Sequence, residues 1–181
     1  MDQRFFCIRS AIRTDCTIGG IQVATSPNDL LFDWLTVMSP TCVLNTGPAQ
    51  PPALRRYSED RQVNVACAAT TAEIAGIDSH PEAAIISDTV ERLPFLAGQA
   101  LLAAPRNLLI PNVLATIDHN QSPEWDFNHL IALGFRRLEI FTDPNRALAV
   151  YAYSITDYNP KRAWNNAENW ANPEMFGKYW W

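Results

Sequence analysis

The sequence predicts an α+β domain, in which a single mixed β-sheet layer is covered by several helices, with an aromatic, irregular C-terminal tail. Two observations predict this class. Short apolar runs with alternation or β-branched residues indicate strands, and segments opened by Ser-Pro or Thr between them indicate capped helices. Strand, helix, strand and hairpin follow one another in the last third, which implies a mixed sheet with helices packed on it. We expect the domain to cover 1–157 and the tail 158–181.

Composition agrees with one folded domain of this kind. The chain has 181 residues, of which 48% are hydrophobic and 18% charged. Its formal net charge of −5 gives no overall attraction to nucleic acid or to an anionic membrane. Four cysteines without a CxxC pair argue against a zinc ribbon or a redox dithiol. No segment resembles a signal peptide or a membrane span, so we predict a soluble cytoplasmic protein for which nucleic acid is a disfavoured partner.

The first half is expected to open with strands at 4–12 and 21–24. A helix start signal follows, because Ser26 can cap the free backbone N–H groups, Pro27 suits the first helical position and Asp29 favours the positive helix end. The helix should end at Pro40. Residues 45–62, NTGPAQPPALRRYSEDRQ, predict a long exposed loop, because three prolines precede a run of charged residues.

The middle of the chain predicts one strand and three helices. Residues 63–68 suit the strand, and 71–76 suit a short helix closed by its glycine. A second start signal, Ser-His-Pro-Glu at residues 79–82, predicts a helix from 79 to about 92. Another helical piece should cover 95–103 and end before Pro105.

The last third gives the clearest pattern. A buried strand is expected at 113–117, and a helix opened by Ser122 and Pro123 should run to 133, where Gly134 stops it. Two alternating strands then flank a turn at Asp143-Pro144-Asn145, which predicts a hairpin.

Two histidines and three carboxylates lie within IDHNQSPEWDFNHL, residues 117–130. Asp118 and His119 come just after a predicted strand, where ligands of open sheets bind. Asp126 and His129 are about 60° apart around the predicted helix and share a face. These four residues could hold zinc, manganese or iron, or form an acid–base pair. They could equally be turn and cap residues, and we assign no metal or other cofactor.

The tail is rich in tryptophan on an irregular Asn, Pro and Gly background. Four of the six tryptophans are found there: Trp164, Trp170, Trp180 and Trp181. Such rings can anchor a protein partner, or they can pack against their own domain. Catalytic motifs such as GxGxxG, GxxxxGK[ST], HExxH and GxSxG are missing from the sequence.

Two hypotheses follow. The first is a protein-interaction module of the inhibitor, immunity or assembly-factor type, which binds a protein partner or self-associates through the tail tryptophans, with Arg55 and Arg56 of the exposed loop giving orientation. The second is a small hydrolase or transferase that uses Asp118, His119, Asp126 and His129, with a histidine as base or metal ligand.

Overall fold

The computed structural model of the chain describes residues 26–158, 166–169 and 172–178. The predicted strands at 4–12 and 21–24 and all four tail tryptophans lie outside these residues. The described strands are β1 (Cys42–Asn45), β2 (Asn64–Cys67), β3 (Ala83–Ile86), β4 (Asn112–Asp118), β5 (Arg136–Asp143) and β6 (Arg146–Ser154). The described α-helices are α1 (Pro27–Met38), α2 (Pro52–Arg61), α3 (Thr71–Ala75), α4 (Phe95–Asn107), α5 (Phe127–Ala132) and α6 (Ile155–Tyr158). Single 3-10 turns cover Val90–Arg92, Ala167–Asn169 and Pro173–Met175.

The strands form one six-stranded sheet in the order β2-β1-β3-β4-β6-β5. The first four strands in that order are parallel, whereas β6 is antiparallel to both β4 and β5. The predicted mixed sheet with covering helices is therefore confirmed. The chain passes from β1 to β2 on one side and then returns to place β3 on the other side of β1. This reversal is a topological switch point, at which ligands of doubly wound sheets bind.

Both faces of the sheet are buried, so the fold has three layers. Leu35 of α1 and Tyr57 of α2 pack with Val43 and Ile85 on one face. Leu101 and other residues of α4 pack with the alternate residues of the same strands on the opposite face. Because a parallel strand is covered on both sides, it reads as a continuous apolar run rather than an alternating one.

Helix α1 forms where the start signal predicts it. The Ser26 hydroxyl accepts a hydrogen bond from the backbone N–H of Asp29 at 3.2 Å, and Pro27 occupies the first turn. Ser39 takes the left-handed conformation that ends the helix, and its N–H donates to the Leu35 carbonyl. Trp34 and Leu35 are buried on the side of the helix that faces the sheet.

The predicted exposed loop at 45–62 is wrong over its second half, which is helix α2. Pro52 sits in the first turn, where a proline costs no helical hydrogen bond. Leu54 and Tyr57 are three residues apart and bury one face of the helix, while Arg55 and Arg56 remain exposed on the other. The apolar spacing, rather than the density of prolines and charges, decides the structure here.

The predicted helix from 79 to 92 is also wrong. The four residues Ala83–Ile86 form β3, and all four are completely buried in the centre of the parallel sheet. A strand covered on both faces carries no polar alternation, which is why the start signal at Pro81 was misleading. Helix α4 does occur in the next predicted segment, but it runs past 103 and includes Pro105 in its last turns.

The last third follows the prediction, apart from the start of α5. Strand β4, the stop at Gly134 and the hairpin of β5 and β6 are confirmed. Ser122 does not cap the helix, because its hydroxyl donates to the Asp118 carbonyl at 2.8 Å. Asp126 is the N-cap instead.

None of the helices in the described ranges is long and apolar enough to cross a bilayer. The division between a domain at 1–157 and a tail at 158–181 stays a prediction.

Candidate functional site

The switch point brings together the loops that follow β1 and β3. The backbone N–H of Thr46 donates to the Ile85 carbonyl at 2.9 Å. The Thr89 hydroxyl shares its hydrogen between the Thr46 carbonyl and the Ser87 carbonyl, each at 2.8 Å. Two loops that are about forty residues apart in sequence are thus joined at the carboxyl edge of the sheet.

Gly47 lies where these loops approach each other most closely. A Cβ atom built on Gly47 would lie 2.7 Å from the Ser87 hydroxyl oxygen and 2.8 Å from the Ser87 carbonyl oxygen. Both distances are shorter than side chains tolerate, and one of them involves backbone. Only glycine fits here without a shift of one loop.

Asn45, the last residue of β1, contributes a buried polar group beside this contact. Its side chain is 2% exposed. The amide nitrogen faces the carbonyl oxygens of Gly47 and Ala49 at 3.5 and 3.4 Å, and no described residue donates a hydrogen bond to its Oδ1 atom. A buried acceptor without a donor costs about 1–3 kcal/mol. Asn45 is therefore a candidate contact for a donor group of a ligand.

The same edge carries more negative than positive charge. Arg146, at the start of β6, places Nη2 3.0 Å from an oxygen of Asp88 and Nε 3.3 Å from an oxygen of Asp118. Glu91, in the 3-10 turn after β3, connects this turn to the end of β4, because its Oε1 accepts the N–H of Asp118 at 2.8 Å. Asp88 and Asp118 thus share one guanidinium, and the carboxylate of Glu91 lies beside them.

Glu91 has an altered acidity. Burial raises the pKa of Glu91, and the neighbouring carboxylates of Asp88 and Asp118 raise it further against the lowering effect of its backbone hydrogen bonds. Its Oε2 is buried and receives no hydrogen bond from any residue in the described part of the chain. An additional positive charge at this edge would stabilise the ionised form of Glu91.

Asp118, one of the residues predicted from sequence, is buried at this edge. Its carboxylate accepts hydrogen bonds from the N–H groups of Asn120 at 3.0 Å and Ala147 at 3.3 Å, and from the side-chain amide of Gln121 at 3.1 Å. With Arg146, these donors make Asp118 the anchor of the loop that follows β4.

His119 uses both ring nitrogens inside the protein. Nδ1 lies 2.9 Å from the Trp125 carbonyl oxygen, and Nε2 lies 3.0 Å from the Tyr151 hydroxyl. A carbonyl can only accept, so Nδ1 carries the hydrogen and Nε2 accepts from the tyrosine. Burial raises the pKa of Tyr151, and the nearby Arg137 opposes that rise.

Asp126 and His129 form a separate pair at the start of α5. Asp126 accepts the N–H of His129 at 2.8 Å, and His129 Nδ1 accepts the N–H of Asp126 at 3.3 Å, which is a reciprocal capping box. The backbone hydrogen bond from His129 is the largest cause that lowers the pKa of Asp126.

The four predicted residues are thus divided among three arrangements. Asp118 binds Arg146, His119 binds Tyr151, and Asp126 pairs with His129. In the ranges that the structure describes, no three His, Cys, Asp or Glu side chains are grouped so that they could hold a metal ion.

The other predicted contact residues are the two arginines of α2. Arg56 lies over the Phe32 ring at 4.4 Å, and its Nε is 3.9 Å from an oxygen of Asp60. Arg55 is exposed on the same helix.

Sequence reasoning missed five residues of the switch-point edge: Asn45, Gly47, Asp88, Glu91 and Arg146. The available signal was the apolar run CVLN followed at once by Thr-Gly, which is a strand that ends in a glycine turn. The prediction of a long loop from residue 45 onward hid this strand end and its glycine turn.

The sheet order and the buried edge define a Rossmann-like fold with an antiparallel hairpin added to its parallel half. The chain belongs to a family described as a family of unknown function (DUF6231), whose model matches residues 25–181. No curated protein matches its sequence.

The structure is similar to solved structures of low sequence identity. One is magnesium protoporphyrin IX methyltransferase from Synechocystis PCC 6803 with bound SAM (S-adenosylmethionine), at 9% identity and a TM-score of 0.51, over 82% of this chain and 89% of that one. Another is the N-methyltransferase NodS from Bradyrhizobium japonicum WM9 in complex with SAH (S-adenosyl-L-homocysteine), at 12% identity and a TM-score of 0.45, over 88% of this chain and 100% of that one.

The hypothesis of a protein-interaction module is wrong, and so is the protein partner or self-association that it required. The fold is shared with a solved methyltransferase that has SAM bound, which is not an interaction module of the predicted type. The prediction failed because bulky rings in an irregular segment were the most visible feature of the sequence, while the switch point forms only in three dimensions.

Proposed function

We propose that this protein is a methyltransferase that binds S-adenosylmethionine at the carboxyl ends of β1 and β3. The observation that carries the proposal is the loop contact at Gly47, which lies at the switch point of a fold shared with a solved SAM-bound methyltransferase. Open sheets bind their ligands at this position because two neighbouring loops diverge there and leave a crevice.

The charge of the edge favours a cationic ligand. Asp88, Glu91 and Asp118 outnumber Arg146, so the local potential is negative. S-adenosylmethionine carries a positive sulfur and an ammonium group, whereas dinucleotides and flavin mononucleotide carry phosphates. The acidic edge therefore distinguishes the proposed ligand from the phosphorylated ligands of similar folds.

The end of β2 lacks a residue that dinucleotide-binding sites usually have there. Dinucleotide sites place a carboxylate about twenty residues after the glycine turn, where it binds a ribose hydroxyl. Residues 65–72 of this chain contain no Asp or Glu, and the Oε2 of Glu73 accepts the Ala69 N–H at 2.7 Å. A nucleoside bound here lacks that charge-assisted contact, so we expect a modest affinity for it.

The residues that would hold the ligand are those of the first two loops. When bound, S-adenosylmethionine supplies an electrophilic methyl group on a cationic sulfur. The unpaired Oδ1 of Asn45 would accept a hydrogen from the ammonium group, and Gly47 would keep the backbone close. Glu91, whose Oε2 has no hydrogen bond in the described residues, would favour the positive charge.

The catalytic roles of Asp118, His119, Asp126 and His129 stay proposals. Asp118 and His119 follow β4 at the same edge, which favours them as groups near an acceptor. For His119 to take a proton at Nε2, the Tyr151 hydroxyl hydrogen bond would have to be exchanged. The cytoplasmic location also stays a prediction, and the free thiols Cys42 and Cys67 agree with a reducing compartment.

Titration calorimetry with S-adenosylmethionine and S-adenosylhomocysteine tests the proposal, with Gly47→Ala and Gly76→Ala as a matched pair. A Cβ at Gly76 meets nothing closer than 3.7 Å, so this control should bind as the natural protein does. Gly47→Ala should weaken binding roughly tenfold or more, which corresponds to about 1.4 kcal/mol.

Two outcomes would remove the methyltransferase proposal. One is that the natural protein binds neither compound at millimolar concentration. The other is that it binds NAD more tightly than either of them.

A further inference from the structure

Asp88 has an unusual backbone conformation at the edge of the candidate site. It follows β3 and has a φ of 51°, which is left-handed and rare for a residue other than glycine. The residues on either side of it make the contacts that join the two loops. Ser87 faces Gly47, and the Thr89 hydroxyl donates to the Thr46 carbonyl. The conformation at Asp88 therefore determines how the loop after β3 meets the loop after β1.

Arg146 supports this conformation from the other half of the sheet. Its Nη2 lies 3.0 Å from Oδ1 of Asp88. Its buried Nε lies 3.3 Å from Oδ2 of Asp118 in an ion pair without a hydrogen bond. Asp118 is fixed by backbone N–H groups, so Arg146 has a buried partner on one side, while its pair with Asp88 is partly exposed.

We propose that Asp88 and Arg146 are positioning residues for the ligand at the switch point, and this proposal rests on the proposed function. Their ion pair keeps residue 88 left-handed and so holds Ser87 and Thr89 against the loop at Gly47. The carboxylate acts on the ligand through the backbone rather than by touching it. The antiparallel hairpin thereby contributes to a site built on parallel strands.

The substitutions Asp88→Ala and Asp88→Gly separate a positioning role from direct contact. Both remove the carboxylate and the ion pair with Arg146. Glycine adopts the left-handed conformation readily, whereas alanine does not. We expect Asp88→Ala to weaken S-adenosylmethionine binding about tenfold in calorimetry, and Asp88→Gly to stay within about twofold of the natural protein.

Any other pattern overturns the inference. If both variants weaken binding equally, the carboxylate itself contacts the ligand. If neither weakens it, the conformation of residue 88 does not matter for binding. Circular dichroism at the calorimetry temperature verifies that both variants are folded.

A ligand-free measurement keeps this test separate from the proposed function. Hydrogen exchange at the amide of Thr46, which donates to the Ile85 carbonyl, reports whether the two loops stay joined. Faster exchange in Asp88→Ala than in Asp88→Gly supports the positioning role even if the natural protein binds no S-adenosylmethionine. Equal exchange in the two variants counts against the role.

Discussion

Two polar regions at the carboxyl edge of the sheet differ in how well their hydrogen bonds are satisfied. In the stretch that follows β4, both histidines are paired: His119 uses both ring nitrogens, and Asp126 and His129 cap one helix together, although the indole N–H of Trp125 is buried without an acceptor in the described residues. At the switch point, by contrast, Asn45 Oδ1 and Glu91 Oε2 are buried without a donor in the described residues.

This difference indicates which region is suited to bind something. Paired groups already gain their interaction energy from folding and hold a loop or a helix end. Buried acceptors without donors cost folding energy, and a ligand with donor groups recovers it. A dense cluster of histidines and carboxylates is therefore weaker evidence for a site than a few polar atoms left unsatisfied beside a tight glycine contact.

The largest expected effect comes from Arg146, which connects the two regions. Arg146→Met leaves Asp118 buried without its cation. Breaking a buried pair costs about 3–5 kcal/mol, and we expect about 2–4 kcal/mol because the guanidinium is 43% exposed. Urea unfolding measures the loss. In Arg56→Met, the exposed pair with Asp60 is removed, and the change should stay below about 1 kcal/mol. Similar losses in the two variants would show that Arg146 is an ordinary surface residue.

A smaller effect is expected from Tyr151→Phe, which addresses the paired region alone. The variant removes the donor to His119 Nε2 and leaves a partly buried acceptor unpaired, which should cost about 1–2 kcal/mol of unfolding free energy. Affinity for S-adenosylmethionine should not change. A variant with full stability but weaker binding would reverse the comparison and make His119 part of the ligand site.

The smallest effects are opposite pH dependences of the two regions. Burial raises the pKa of Glu91 in the folded protein, so the folded state holds its proton longer than the unfolded state does. The stability of the natural protein relative to Glu91→Gln should therefore fall as pH rises through the range just above 4.5, the ordinary pKa of the group.

The pKa of Asp126 is lowered by folding, so its contribution is present above the ordinary value of 3.8 and is lost as pH falls through the lower folded pKa. The stability of the natural protein relative to Asp126→Asn should rise with pH in that acidic range. Unfolding curves between pH 3 and 6 (roughly one pH unit on either side of both pKa values) measure both differences. If both stability differences change with pH in the same direction, then folding does not raise the pKa of Glu91 and lower that of Asp126 as described.

The sequence predicts those parts of the fold that local signals specify. Ser26 and Pro27 mark the start of α1 because the cap and its acceptor lie three residues apart, and Gly134 marks the end of α5 because the chain turns left-handed there. Alternation in β5 and β6 predicts a hairpin because its strands are neighbours in the sequence.

The candidate site is not predictable in this way, since its parts are distant in the sequence. Asp88 and Arg146 meet only because of the strand order. The completely buried β3 also resembles a helix in composition, which hid the switch point itself. The size limit at Gly47 comes from Ser87, forty residues later, so no local pattern around the glycine could reveal it.

The late position of Arg146 in the sequence determines when the acidic edge of the sheet can be completed during synthesis. Translation delivers all four parallel strands before residue 146 leaves the ribosome, so a nascent chain can pair β1 to β4 while Asp118 still lacks its positive partner. Asp88 and Asp118 at the acidic edge gain this positive partner only when the β5–β6 hairpin is added. Addition of the β5–β6 hairpin is thus the step that completes the charge pairing at this edge of the sheet.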